Sequence, residues 1–155
     1  MWGTLAFYHA CSFRGTPHTG RPGNLRGRHR ECDSGLMNPK DAYDLWTRGL
    51  ELLADRRNHQ AALVLEKACA LEPEKGSVRE ALARALYNIG ETQRAGEEFE
   101  EAMRLNPADH YPYFGLALCR ARLGDRTRAA GLLKIALAMK PDSQDYRRAL
   151  DRLAC

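Results

Sequence analysis

From Pro39 to the end of the chain, apolar residues return at helical spacing in stretches of about 13 residues, the length of an ordinary helix. Polar breakers separate them: "ADRRNH" at 54–59, "NIGET" at 88–92 and "RLGDR" at 122–126. A second set of breakers is built on proline: "MNP" at 37–39, "LEPEK" at 71–75, "LNPAD" at 105–109 and "MKPDS" at 139–143. Pro39, Pro73, Pro107 and Pro141 are each 34 residues apart, and Met37, Leu71, Leu105 and Met139 precede them by two. Proline lacks the N–H that a helix interior requires but suits a first helical position, so each one closes a helix and opens the next. Gly90 and Gly124 supply the left-handed conformation that ends a helix cheaply. Arg56 stands at the equivalent place in the first unit, so that turn is expected to be built differently. The pattern predicts two helices per 34-residue unit over 42–75, 76–109 and 110–143. A seventh helix follows in "DSQDYRRALDRLAC", where Tyr146, Ala149, Leu150 and Leu153 share one face.

The first 36 residues do not join this pattern. They hold Gly3, Gly15, Gly20, Gly23, Gly27, Gly35, Pro17 and Pro22, with five arginines against Glu31 and Asp33. At the places that later hold Ala61, Leu65 and Ala68, an upstream unit would have Gly27, Glu31 and Ser34. Ordering such a segment costs conformational entropy with little apolar burial to offset it. Residues 1–36 are therefore expected to be a disordered basic leader, with the folded domain spanning 37–155. Asn38 is the expected N-cap of the first helix, and Met37 is a candidate true start.

A fixed period in this range is the signature of a stacked repeat. Aligned on the prolines, the second unit reads Leu82-Ala83-x2-Leu86, then Ala95-x3-Phe99, Ala102 and Pro107. The third reads Tyr113-x2-Leu116-Ala117, then Ala129-x3-Leu133, Ala136 and Pro141; the first reads Leu45-x3-Gly49-x2-Leu52, then Ala61-x3-Leu65, Ala68 and Pro73. These residues resemble the tetratricopeptide repeat (TPR), whose pattern is W-x2-L-G-x2-Y, A-x3-F and P. Small residues at Gly49, Ala83 and Ala117 allow close approach to Ala61, Ala95 and Ala129, while Leu65, Phe99 and Leu133 fill the space between successive hairpins. Arg48, Arg79 and Arg120 stand where the family has large apolar or aromatic residues.

The resemblance implies an all-α, right-handed superhelical solenoid of three helix-turn-helix repeats with residues 144–155 as a capping helix. It also implies a concave groove lined by the first helix of each pair. In this sequence those positions are Tyr43, Trp46, Leu50 and Leu53; then Ser77, Glu80, Arg84, Tyr87 and Asn88; then Tyr111, Phe114, Leu118, Ala121 and Arg122. The groove is aromatic and aliphatic at its ends and polar in its middle. Tyr111 and Phe114 are expected to be open to the groove, while Trp46 is divided between groove and core. Some members grip a chaperone's C-terminal carboxylate with Lys and Asn. The matching positions here hold Trp46, Leu50, Ala81, Tyr111 and Gly115, which cannot do so, and an apolar or amphipathic peptide is the expected partner.

Composition narrows the function classes. The net charge of +4 lies mostly in the leader; residues 37–155 carry nineteen basic against eighteen acidic residues. A nearly neutral domain lacks the electrostatic footprint of a nucleic-acid binder, leaving only weak nonspecific contact through the leader. No apolar run reaches the ~18 residues of a membrane span, and no basic residue precedes the apolar start of the chain as in a secretory signal. The cytoplasm is the expected location. The five cysteines are scattered and odd in number, implying free thiols. Cys69 and Cys119 fall on helices as core fillers. His29-x2-Cys32 with Cys11 is a poor metal set, and no cofactor is expected. "EEFEE" at 97–101 reads as a solvated face. The excess of Arg over Lys and the alanine richness suggest a bacterial source. The sequence thus describes a non-enzymatic adapter holding a protein segment in its groove; the alternative is an accessory subunit that self-associates through a face such as Leu63-Val64.

Overall fold

The computed structural model describes residues 39–154. The leader, the Met37 boundary and the Asn38 cap lie outside them. Seven helices follow one another: α1 (Pro39–Ala54), α2 (Asn58–Leu71), α3 (Gly76–Ile89), α4 (Thr92–Leu105), α5 (His110–Arg122), α6 (Arg126–Met139) and α7 (Gln144–Ala154). Each helix packs on its neighbours in sequence; beyond those, α1 touches α3 and α3 touches α5. The first helices of the three pairs therefore lie side by side on one face, and the second helices form the other.

The turn within each pair is the same in all three units. Arg56, Gly90 and Gly124 have φ of 60°, 94° and 89°. The N–H groups of Arg57, Glu91 and Asp125 reach back to the carbonyls of Leu52, Leu86 and Arg120, at 2.9 Å in each case. This is the Schellman geometry, which satisfies carbonyls left over at a helix end. The first turn is thus not built differently, as its missing glycine suggested; Arg56 adopts the left-handed conformation itself. That conformation costs an L-residue about 1–2 kcal/mol, against about 0.4–1 kcal/mol for the added freedom of glycine when unfolded. Arg56 is exposed, so R56G is expected to raise stability by roughly 0.5–1 kcal/mol in urea unfolding.

The core follows the small-and-large pattern. Ala61, Leu65 and Ala68, Ala95, Phe99 and Ala102, and Ala129, Leu133 and Ala136 are all buried. A Cβ on Gly49 would fall inside the Leu65 side chain, and one on Gly115 inside the Phe99 ring. The closest approach at Gly49 is therefore to Leu65, one turn further along α2 than the expected Ala61. Cys119 is buried and Cys69 half-buried. Burial pushes both thiols up to about 11, which leaves them protonated and poor nucleophiles at neutral pH.

The arginines that depart from the repeat pattern are polar fasteners. Arg79 donates from Nε to the Pro73 carbonyl at 2.8 Å and from Nη1 to Glu98 at 2.8 Å. One unit on, the Tyr113 hydroxyl donates to the Pro107 carbonyl at 3.3 Å, and one further, Arg147 donates to the Pro141 carbonyl at 3.1 Å. A side chain six residues after each of these prolines thus holds the proline's own carbonyl in the loop that precedes the helix. Arg120 pairs with Glu100, and Arg104 with Glu101 at 2.7 Å. Three glutamates of "EEFEE" are therefore engaged with arginines, two of them on neighbouring helices, rather than simply solvated.

Candidate functional site: the face formed by the first helices

Residues spaced three and four apart on α3 and α5 point into the gap between these helices. Arg84, Tyr87 and Asn88 from α3 face Tyr111, Gly115 and Leu118 from α5 across a cavity of about 270 Å³, with Phe99 of α4 at its floor. Phe99 can sit there because residue 115 has no side chain; any Cβ at that position would meet the ring.

Two arginine–tyrosine pairs border it. The Arg122 guanidinium lies 3.8 Å from the Tyr87 ring centroid and donates to the Tyr87 carbonyl at 2.9 Å. The Arg84 guanidinium lies 5.5 Å from the Tyr111 ring centroid, within the range of cation–π attraction. Glu80 reaches Arg84 at 4.0 Å. Its carboxyl is raised above the usual range, first by burial and then by Asp109, with Arg84 opposing. Burial likewise raises the Tyr111 phenol. Asp109 starts α5 by accepting from the Tyr111 N–H at 3.0 Å. Asn88 donates to Asn58 at 3.0 Å, tying the rim to α2.

Of the positions expected in the groove, Arg84, Tyr87, Asn88, Tyr111 and Leu118 meet at this cavity, with Arg122 and Glu80 beside it. Phe114 does not line it. Its ring is half-buried and stacked on Tyr146 of α7, with centroids 4.5 Å apart and planes 26° apart. Trp46, Leu50 and Leu53 of α1 pack half-buried against the core. Tyr43 is 54% exposed, its ring 5.7 Å from that of Trp46. The Lys75 ammonium lies 5.8 Å from the Trp46 ring centroid, and the Trp46 indole N–H has no partner among the described residues. Phe99 and Gly115 were not counted as groove residues from sequence, where Phe99 read only as a filler between successive hairpins.

A second hollow of about 150 Å³ flanks the other side of α5, again bordered by Leu118. Its walls come from Ala121, Leu133 of α6, and Ala149 and Leu153 of α7, with Arg152 at the edge. The cap helix is held there by Tyr146, whose hydroxyl is 2.7 Å from His110 Nδ1. Burial foremost raises the Tyr146 phenol to about 12. On the opposite face, Leu63 is 62% exposed while Val64 packs against the core.

Among the described residues no group of three His, Cys, Asp or Glu is placed to hold a metal ion. No described helix is long and apolar enough to cross a membrane. No family model matches the chain. Mouse (Mus musculus) interferon-induced protein with tetratricopeptide repeats 3 is 30% identical over 118 residues, 74% of this chain. The chain spans 26% of that relative's length. In structure, the Arabidopsis OM64 TPR domain superposes with a TM-score of 0.73 at 18% identity, covering 75% of this chain and 96% of that one. The first TPR domain of Spaghetti (RPAP3), bound to the HSP90 peptide SRMEEVD, superposes with a TM-score of 0.72 at 16% identity, covering 76% and 93%. Residues 39–154 form a tetratricopeptide-repeat domain. The TPR register is the one carried by the prolines: three repeats wound into a right-handed solenoid, closed by α7. A cap of this kind covers the apolar flank of the last repeat with a helix that is polar outside.

Proposed function

We propose that this TPR domain is a non-catalytic adapter that holds a segment of a partner protein across α3 and α5. The cavity bordered by the Arg84–Tyr111 and Arg122–Tyr87 pairs carries this reading. It combines an apolar floor at Phe99 and Leu118 with oriented donors on its rim, as peptide-holding grooves do. The likeness to TPR domains, one of them bound to a peptide, supports it. A terminal-carboxylate grip like that of chaperone-tail binders is disfavoured, since Ala81 is buried and Gly115 has no side chain with which to form it. An amphipathic segment suits the lining better.

The test is selection of peptides from a random display library on the full chain, followed by fluorescence anisotropy on the enriched sequences. Truncating an aromatic anchor at the centre of an interface typically costs on the order of 1–2 kcal/mol, so Y111A is expected to weaken binding about tenfold. Failure to enrich any peptide over an unrelated helical protein, or equal affinity for wild type and Y111A, would remove the groove reading.

A further inference from the structure

The arginines that reach from one helix to another differ between the two faces of the domain. Those that reach a glutamate of a second helix meet it closely: Arg79 of α3 with Glu98 at 2.8 Å, Arg94 of α4 with Glu66 at 2.7 Å, and Arg120 of α5 with Glu100. At the groove the pattern differs. Arg122 stacks on Tyr87 and spends one N–H on a backbone carbonyl. Arg84 lies over Tyr111, with Glu80 no closer than 4.0 Å. A guanidinium has five N–H donors in a planar fork suited to a carboxylate. Arg84 lines the cavity with donors uncommitted to any close carboxylate, and Arg122 sits beside it on the Tyr87 ring with donors beyond the one spent on the carbonyl. Glu80 is the nearest acidic counterweight, and its carboxyl is raised by burial and by Asp109.

Directly across Leu118 lies the second hollow, of different chemistry. Its lining is almost wholly aliphatic, from Ala121, Leu133, Ala149 and Leu153. A volume of about 150 Å³ admits one branched side chain. The two hollows flank α5 and share one residue, so a segment crossing α5 reaches both with side chains close together in its sequence.

Resting on the adapter reading, we infer that the segment held here carries an acidic side chain, taken by Arg84 and Arg122, close in sequence to a branched aliphatic side chain, taken by the hollow beyond Leu118. The partner chemistry is thus an acidic-aliphatic stretch internal to a protein. The polar side of the amphipathic segment is anionic, and its apolar side is aliphatic.

Two libraries of random dodecapeptides, one fused at both ends and one with free C-termini, are selected against the full chain. Enriched peptides from the fused library are expected to pair Asp or Glu with Leu, Ile, Val or Met a few residues away. Changing the acidic residue of such a peptide to its amide is expected to weaken binding to the wild type about tenfold. The same change is expected to have less than about a twofold effect on the R84Q/R122Q variant, because the fork that reads the charge is gone. Both arginines are solvent-accessible, and a thermal melt verifies that the variant folds. A121F, which fills the aliphatic hollow, is expected to erase the aliphatic preference while leaving the acidic one. Enrichment without an acidic preference, or an acidic preference that survives R84Q/R122Q, overturns this inference and leaves the adapter reading standing. Enrichment confined to free C-termini also overturns it, in favour of a terminal carboxylate. If neither library yields a binder, both readings fall.

Discussion

Replacing Phe99 with alanine is expected to lower stability by about 3–5 kcal/mol, the usual cost of emptying an aromatic site in a packed core. A domain of this kind holds about 5–15 kcal/mol in total, so F99A removes a large share. Phe99 is 2% exposed, the largest of the fully buried side chains, and joins the second and third repeats through its contact with Gly115. It is also the floor of the groove cavity. Urea unfolding monitored by circular dichroism measures the loss, and a value under about 1 kcal/mol would show that the stack does not depend on this ring. The reverse change, G115A, overfills the same space and is expected to cost about 1–3 kcal/mol. In an F99L background that penalty is expected to shrink, since the ring that meets the new methyl is gone.

The second large effect is expected at the cap. Tyr146 is the buried anchor of α7, stacked on Phe114 and bonded to His110. Y146A removes both contacts and is expected to cost about 3 kcal/mol, whereas Y146F, which keeps the stack, loses about 1 kcal/mol for the hydrogen bond. Because α7 meets only the last helix pair among the described residues, packing on α6 and reaching α5 through Tyr146, the loss is expected to be local. Hydrogen exchange is predicted to speed up first in 144–154, with the amides of α3 and α4 little changed. A uniform increase across the domain would contradict this. Y146A also loosens the wall formed by Ala149 and Leu153, so it is expected to weaken the segments selected for the aliphatic hollow.

Much of the fold was legible because the features that set it are local and periodic. The prolines gave the register, the alanine and leucine spacing gave the buried stripe, and Tyr146, Ala149 and Leu153 marked the cap. What was not legible depended on contacts that hydropathy does not record. Arg79 departs from the pattern when judged as an apolar position, yet it performs the same duty toward Pro73 that Tyr113 performs toward Pro107. Arg56 carried no glycine signal, but the hydrogen bonds that close the turn impose φ of 60° regardless. The candidate site was readable at α3 and α5, where position on the helix decides which way a side chain faces. It was less readable at Phe114, whose surroundings are set by α7 from 32 residues later in the sequence. Likewise, the role of Gly115 requires knowing that Phe99 lies beneath it.

The turns that close each hairpin, and the restriction of contacts to helices at most two apart, also govern how quickly this chain finds its structure. Each stabilising contact closes only a short loop, so little chain entropy is lost before a reward arrives. Architectures with such proximate pairings reach the native state in microseconds to milliseconds. Assembly can begin at any hairpin and spread outward in both directions.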